Sequence, residues 1–183
     1  VFIHCTKKAE KVLRESGLFN DHSNESPFVK EVAIRDEMLH WHLNNLKVNG
    51  ADLLLLTHDV SGVAAAFHMK DSVTVKNQLD AFLPPAIKQL FLLAKCSNLF
   101  IKEYTDQSEG FVFTSSSGIK QLSKNTVAAK HVNRKLMNLE PNKIFQSKLT
   151  DSYNSVPKKS LDYQSPNDVL LKQSKIWLNA GHG

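Results

Sequence analysis

The chain has 183 residues, 42% hydrophobic and 22% charged, with a formal net charge of +5. This is ordinary globular composition, long enough to bury a core without covalent staples. Two isolated cysteines, Cys5 and Cys96, and apolar runs no longer than Leu53–Leu56 and Leu90–Ala94 argue against a disulfide framework, a Cys-x-x-Cys metal knuckle and a bilayer-spanning helix, so a reduced cytoplasmic protein with no membrane partner is expected.

The first residues are apolar only up to His4 and the Lys7-Lys8 pair, which is not a secretory pattern. Val1 to His4 reads as a short strand. Thr6 caps a helix from about Lys7 to Ser16, stopped by Gly17. Asn20 to Pro27 is a polar loop, and Phe28 to Leu39 is ambiguous. A meander over 41–69 follows. Trp41, Leu43, Asn45 and Lys47 alternate with His42, Asn44, Leu46 and Val48, and Asn49-Gly50 is a two-residue hairpin signal, because its turn needs positive φ at both positions. Ala51 to Thr57 returns as a leucine-rich strand covered on both faces, and Asp59 to Gly62 turns into a third strand, Val63 to Met69. Val73 to Ala94 is helical, with a break expected at Pro84-Pro85. Strands are expected at 99–104 and 111–114, then a helix from Ile119 to Leu139. A loop-rich C-terminal extension, 140–183, ends in a helix from Asn167 to Trp177 with Ser165 or Asn167 as cap and Pro166 at its start. The fold class is therefore α+β: residues 1–139 form an antiparallel sheet with helices packed on one face, and 140–183 packs on the same body.

Two constellations carry chemistry. His42, His58 and Asp59 fall in or beside apolar strands, where polar groups are costly unless paired or used. With His40 beside them they could serve a hydrolase or nuclease, with or without a divalent metal; a hydrogen-bonded structural cluster explains the same residues, and no metal ligand set is assigned. Asp59-Val60-Ser61-Gly62 is equally the composition of a tight turn. The second constellation is electrostatic. Residues 111–160 carry nine lysines and arginines against Glu140 and Asp151. At 100° per residue, Lys120, Lys124, Lys130, His131, Arg134 and Lys135 share one side of the Ile119–Leu139 helix, opposite Ile119, Leu122, Ala128, Ala129, Val132, Leu136 and Leu139. With no acid on that side, the face suits phosphate, and Ser115 to Gly118 could seat one at the helix start; a solvated basic face is the plainer alternative. Cys5 beside Lys7 and Lys8 could be a reactive thiol or simply a buried one.

The opening Phe2-Ile3-His4-Cys5-Thr6-Lys7-Lys8, the Trp41-His42-Leu43-Asn44-Asn45 strand and the strand ending Thr57-His58-Asp59 together resemble a family of uncharacterised bacterial proteins, with His58 where that family more often has Asn. The resemblance spans about residues 1–139. It implies a bacterial cytoplasmic protein and names no activity. Val156 to Leu170 separately resembles the tail of insertion-sequence transposases, read here as a Tyr-Pro turn into a capped helix. The leading expectation is a non-enzymatic, nucleic-acid-associated or regulatory protein of a toxin–antitoxin or mobile-element module, using the basic helix. The alternatives are the His/Asp enzyme and a protein-interaction module with a protein partner. No cofactor is identified.

Overall fold

The computed structural model describes residues 1–15, 19, 36–48, 50–69, 72–108, 110–115, 119–135 and 139–181, with the side chains of 48, 51, 72–78, 80 and 119–125 outside the description. The expected polar loop at 20–27, the stop at Gly17, Asn49 of the hairpin, and Ser116 to Gly118 before the basic helix lie outside the described residues.

Five strands form one sheet in the order β4-β3-β2-β1-β5. They are β1 (Phe2–Cys5), β2 (His40–Val48), β3 (Ala51–His58), β4 (Ala64–Met69) and β5 (Val112–Ser115). The meander β2-β3-β4 is antiparallel, as its turns require; Gly50 (φ +82°) and Gly62 (φ +72°) supply the left-handed backbone at those turns. The sheet is mixed rather than antiparallel throughout, because β1 runs parallel to both β2 and β5. Between β1 and β2 the chain makes helix α1 (Lys7–Glu15), and a strand–helix–strand connection returns in the same direction.

Side-chain alternation gives the sheet two faces, and helices cover both rather than one. On one face Ile3, Trp41, Leu43, Leu54, Leu56, Ala65 and Phe67 meet α1, α2 (Ser72–Leu93), α3 (Asn98–Gln107) and α6 (Pro166–Asn179). On the other, Leu53, Leu55, Ala64 and Ala66 meet Ala128 and Val132 of α4 (Ile119–Arg134) and Leu149 and Tyr153 of α5 (Ser147–Asn154). The leucine run of β3 is thus buried on both sides, as its unbroken hydrophobicity requires.

Two expected elements are corrected. Residues 99–104 belong to a helix: Ser97 Oγ accepts from Phe100 N–H as its cap, and Phe100, Ile101 and Tyr104 fall on one buried side at helical spacing. Pro84-Pro85 does not break α2. Both prolines are exposed, while Leu79, Leu83, Ala86, Ile87 and Leu90 stay in phase on the buried side, so packing outweighs two missing amide bonds. The last helix forms as expected, with Ser165 and Asp168 making a reciprocal capping box ahead of Pro166.

Residues 140–154 close the outer edge of β4. Gln146 N–H donates to Ala66 O and His68 N–H to Ile144 O, both at 2.8 Å. The Asn154 amide bonds both backbone groups of Ala64 at 2.9 Å. The buried Gln146 side chain holds this segment in shape by donating to Glu140 O and accepting from Glu140 N–H at 2.7 Å. Glu140 in turn is held near a pKa of about 2 by Lys143, Ser147 and the Lys148 amide.

Candidate functional site

Register decides where the polar residues go. Phe2 pairs with His40 and His4 with His42 across the parallel β1–β2 ladder, and Asp59 N–H donates to His40 O at 3.0 Å as β3 ends. His4, His40, His42 and Asp59 therefore share one face, the face that α4 and α5 also cover, with Thr114 of β5 beside them. His42 is buried, 3% exposed, and its Nδ1–H donates to Asp59 Oδ1 at 2.5 Å. His4 Nε2 lies 2.9 Å from His40 Nδ1, and His4 Nδ1 lies 2.8 Å from Thr114 Oγ1. The His4 ring sits 5.0 Å from both the His40 and the His42 ring. Burial first, then the neighbouring His42 and His40, push His4 down to about 4 although Asp59 opposes them, so at neutral pH it is an uncharged imidazole.

His58 is not in this group. It pairs with Trp41 and so faces the other side of the sheet, where it is fully buried. Its Nε2–H donates to Met38 O at 2.9 Å, its Nδ1 accepts from Ser61 Oγ–H at 2.8 Å, and its ring lies 4.7 Å from Trp41. Trp41 Nε1–H donates to Tyr104 Oη, which donates to the same Met38 carbonyl. This is a satisfied core network. Asn44 is likewise used structurally, its Oδ1 accepting from Thr6 Oγ1 at 2.9 Å. The structure thus brings His42 and Asp59 together and sets His58 apart. The His4 and Thr114 partners went unread in the sequence, because β1 and β5 join the sheet through pairings that no turn motif announces. His68 lies beyond β3, on β4.

The basic helix packs as its pattern required: Ala128 and Val132 are buried while Lys130 and Arg134 are exposed, with Lys135 just past the end. Lys120 and Lys124 lie in the helix, their side chains outside the description. Lys158 joins this surface from the C-terminal segment, its Nζ 4.4 Å from the centre of the Tyr153 ring. Tyr153 also stacks edge-on against His131, whose Nε2 is 3.2 Å from Ser152 Oγ. Burial, then the cations of Lys158, Lys135 and Arg134, hold His131 below the usual histidine value. None of Lys130, Arg134, Lys135 and Lys158 forms an ion pair with a described acid.

Cys5 lacks the exposure and the lowered pKa that a reactive thiol needs. It is buried, and burial pushes its thiol up to about 12, with Glu10 adding to the shift.

The molecule is thus an α+β protein with a mixed five-stranded sheet and a His/Asp cluster on the face that carries its basic helix. It belongs to the family described as "Domain of unknown function (DUF6933)", which matches residues 2–169 and agrees with the resemblance to an uncharacterised family. No curated protein and no solved structure gives a significant match. Among the described residues no helix is long and apolar enough to cross a membrane.

Proposed function

We propose that this protein associates with nucleic acid through phosphate contacts made by Lys130, Arg134, Lys135 and Lys158, continued along α4 by Lys120 and Lys124. The observation that carries the reading is that cations from two separate segments gather around His131 and none is neutralised by a described acid. The helix macrodipole accounts for Arg134 at the C-terminal end, but not for Lys130 or for Lys158, which belongs to another element. Such a patch positions a backbone without reading sequence. The transposase-like tail does not bear on this reading: Ser165 to Leu170 make the helix cap and its first turns, which is packing.

Four phosphate contacts on a duplex give a salt slope of roughly −3.6, so binding weakens roughly 10²-fold between 50 and 200 mM salt. The test is fluorescence anisotropy with labelled duplex and single-stranded oligonucleotides, beside a variant with Lys130, Arg134, Lys135 and Lys158 changed to Glu. Binding that is indifferent to salt, or equal in the variant, would overturn the proposal.

A second reading, a hydrolase or nuclease, is favoured by the 2.5 Å His42–Asp59 pair on the same face as the basic helix. It expects the bound oligonucleotide to be cut, and His42→Asn to stop cutting while leaving binding intact.

A further inference from the structure

We infer that His4, His40 and Asp59 form a binding site for a divalent first-row transition-metal ion, zinc before others, with His42 as the residue that positions Asp59. One ligand atom from each of His4, His40 and Asp59 lies within 4.8 Å of the other two. That spacing follows from the backbone: a diagonal pair across the parallel β1–β2 ladder, and the residue that bonds the His40 carbonyl at the end of β3. No loop has to close to bring them together.

The surroundings of His4 and Asp59 are those of ligands held in place. A metal-bound imidazole needs a partner for its other nitrogen, and a bound carboxylate needs its own hydrogen bonds. His4 Nδ1 has Thr114 Oγ1 at 2.8 Å, and Asp59 Oδ1 has His42 Nδ1 at 2.5 Å. A hydrogen bond between His4 Nε2 and His40 Nδ1 requires a proton on one of them. An ion bound by both requires none, and needs the two nitrogens to part from 2.9 Å to about 3.3 Å, the spacing on a tetrahedral zinc; His4 then carries its proton on Nδ1, where Thr114 accepts it. The other nitrogen of His40, Nε2, is buried with no hydrogen-bond partner among the described residues, so of the three ligands His40 is the one held by its strand and not by a hydrogen bond.

The donor set selects the ion. Magnesium and calcium take oxygen ligands, whereas two imidazoles and one carboxylate suit zinc and its neighbours. Three protein ligands leave a coordination position for water or a substrate atom, the arrangement of reactive rather than structural zinc sites. His4, His40 and Asp59 are each only partly buried, so solvent reaches the group. The inference does not depend on nucleic-acid binding, since none of these residues belongs to the basic patch.

The test uses tag-free protein stripped with a chelator. Titration with zinc by calorimetry, and with cobalt by visible absorption, is expected to give one ion per chain. Bound zinc is expected to raise the melting temperature of wild-type protein. His4→Gln, His40→Gln and Asp59→Asn are each expected to weaken binding at least 10²-fold and to abolish the thermal shift. His42→Gln is expected to weaken it roughly 10–100-fold, the range for a residue that orients a ligand. His131→Gln, on the same face, is expected to bind as wild type. Circular dichroism of each variant separates lost binding from lost fold. No ion bound by folded wild-type protein, or equal binding by the folded His4 and His40 variants, would overturn the inference.

Discussion

Replacing His58 with alanine tests whether this histidine is core or chemistry. The side chain is fully buried and makes two good hydrogen bonds, to Met38 O and from Ser61 Oγ. Each bond is worth about 1 kcal/mol net, and the stranded Ser61 hydroxyl costs about 1–3 kcal/mol more. Met38 O keeps the Tyr104 hydroxyl, so it is not orphaned. The lost ring contact with Trp41 adds about 0.5–1.5 kcal/mol. The expected loss is about 3.5–6.5 kcal/mol, a large share of a typical stability of about 5–15 kcal/mol. With a urea m-value of about 2 kcal/mol/M, the midpoint falls by roughly 2–3 M. Urea titration followed by tryptophan fluorescence reads this directly, because Trp41 is the ring against which His58 lies. His58→Phe restores volume but still strands Ser61. Ser61→Ala, which also removes the acceptor of Val63 N–H, is expected to cost about 1 kcal/mol less in the His58→Phe background than in wild type, a coupling that only direct contact produces. A loss below about 1 kcal/mol in His58→Ala, or the same cost of Ser61→Ala in both backgrounds, would refute the core assignment.

Two further outcomes follow from burial. Cys5 and Cys96 both have thiols raised by burial, so in native protein at pH 8 neither is expected to react with a thiol reagent such as DTNB, and both should react at once in denaturant; rapid native labelling of Cys5 would contradict its place in the core. Metal-free protein is also expected to lose stability as pH falls from about 6.5 to about 4. His4 binds its proton near 4 in the folded chain but near the ordinary value once unfolded, so the unfolded state takes up protons first in that window. His4→Gln removes this part of the acid sensitivity, which melting temperatures measured across the window would reveal; an unchanged pH profile would speak against it.

The parts of the fold legible in the sequence were those written in local chemistry. Gly50 and Asp59 to Gly62 stand at the turns of the meander, and Ser165-Pro166 with Asp168 started the last helix. Residues 99–104 were misread because Phe100, Ile101 and Tyr104 are good strand formers, although Ser97 and the spacing of those three already matched a capped helix. The parallel placement of β1 followed from α1 lying between two strands, a cue the antiparallel expectation passed over. The site divides the same way. The His42–Asp59 partnership was readable from strand alternation and the hairpin. The one-residue offset that sends His58 to the opposite face, and the arrival of His4 and Thr114 from strands far apart in sequence, are set by tertiary pairing that local pattern does not encode.

The closed edge of β4 has a consequence for the growing chain. An unpaired strand edge invites pairing with another copy. Here the groups that cover it, from Ile144 to Asn154, leave the ribosome as much as 85 residues after Met69. At translation rates of about 5–20 residues per second, the emerging meander stays open for roughly 4–17 s. During that interval Ala64 and Ala66 present bare amides beside the apolar Leu53 and Leu55 face. Synthesis is therefore an interval in which this edge is uncovered, and a chain cut short before Asn154 would present it to a neighbouring copy.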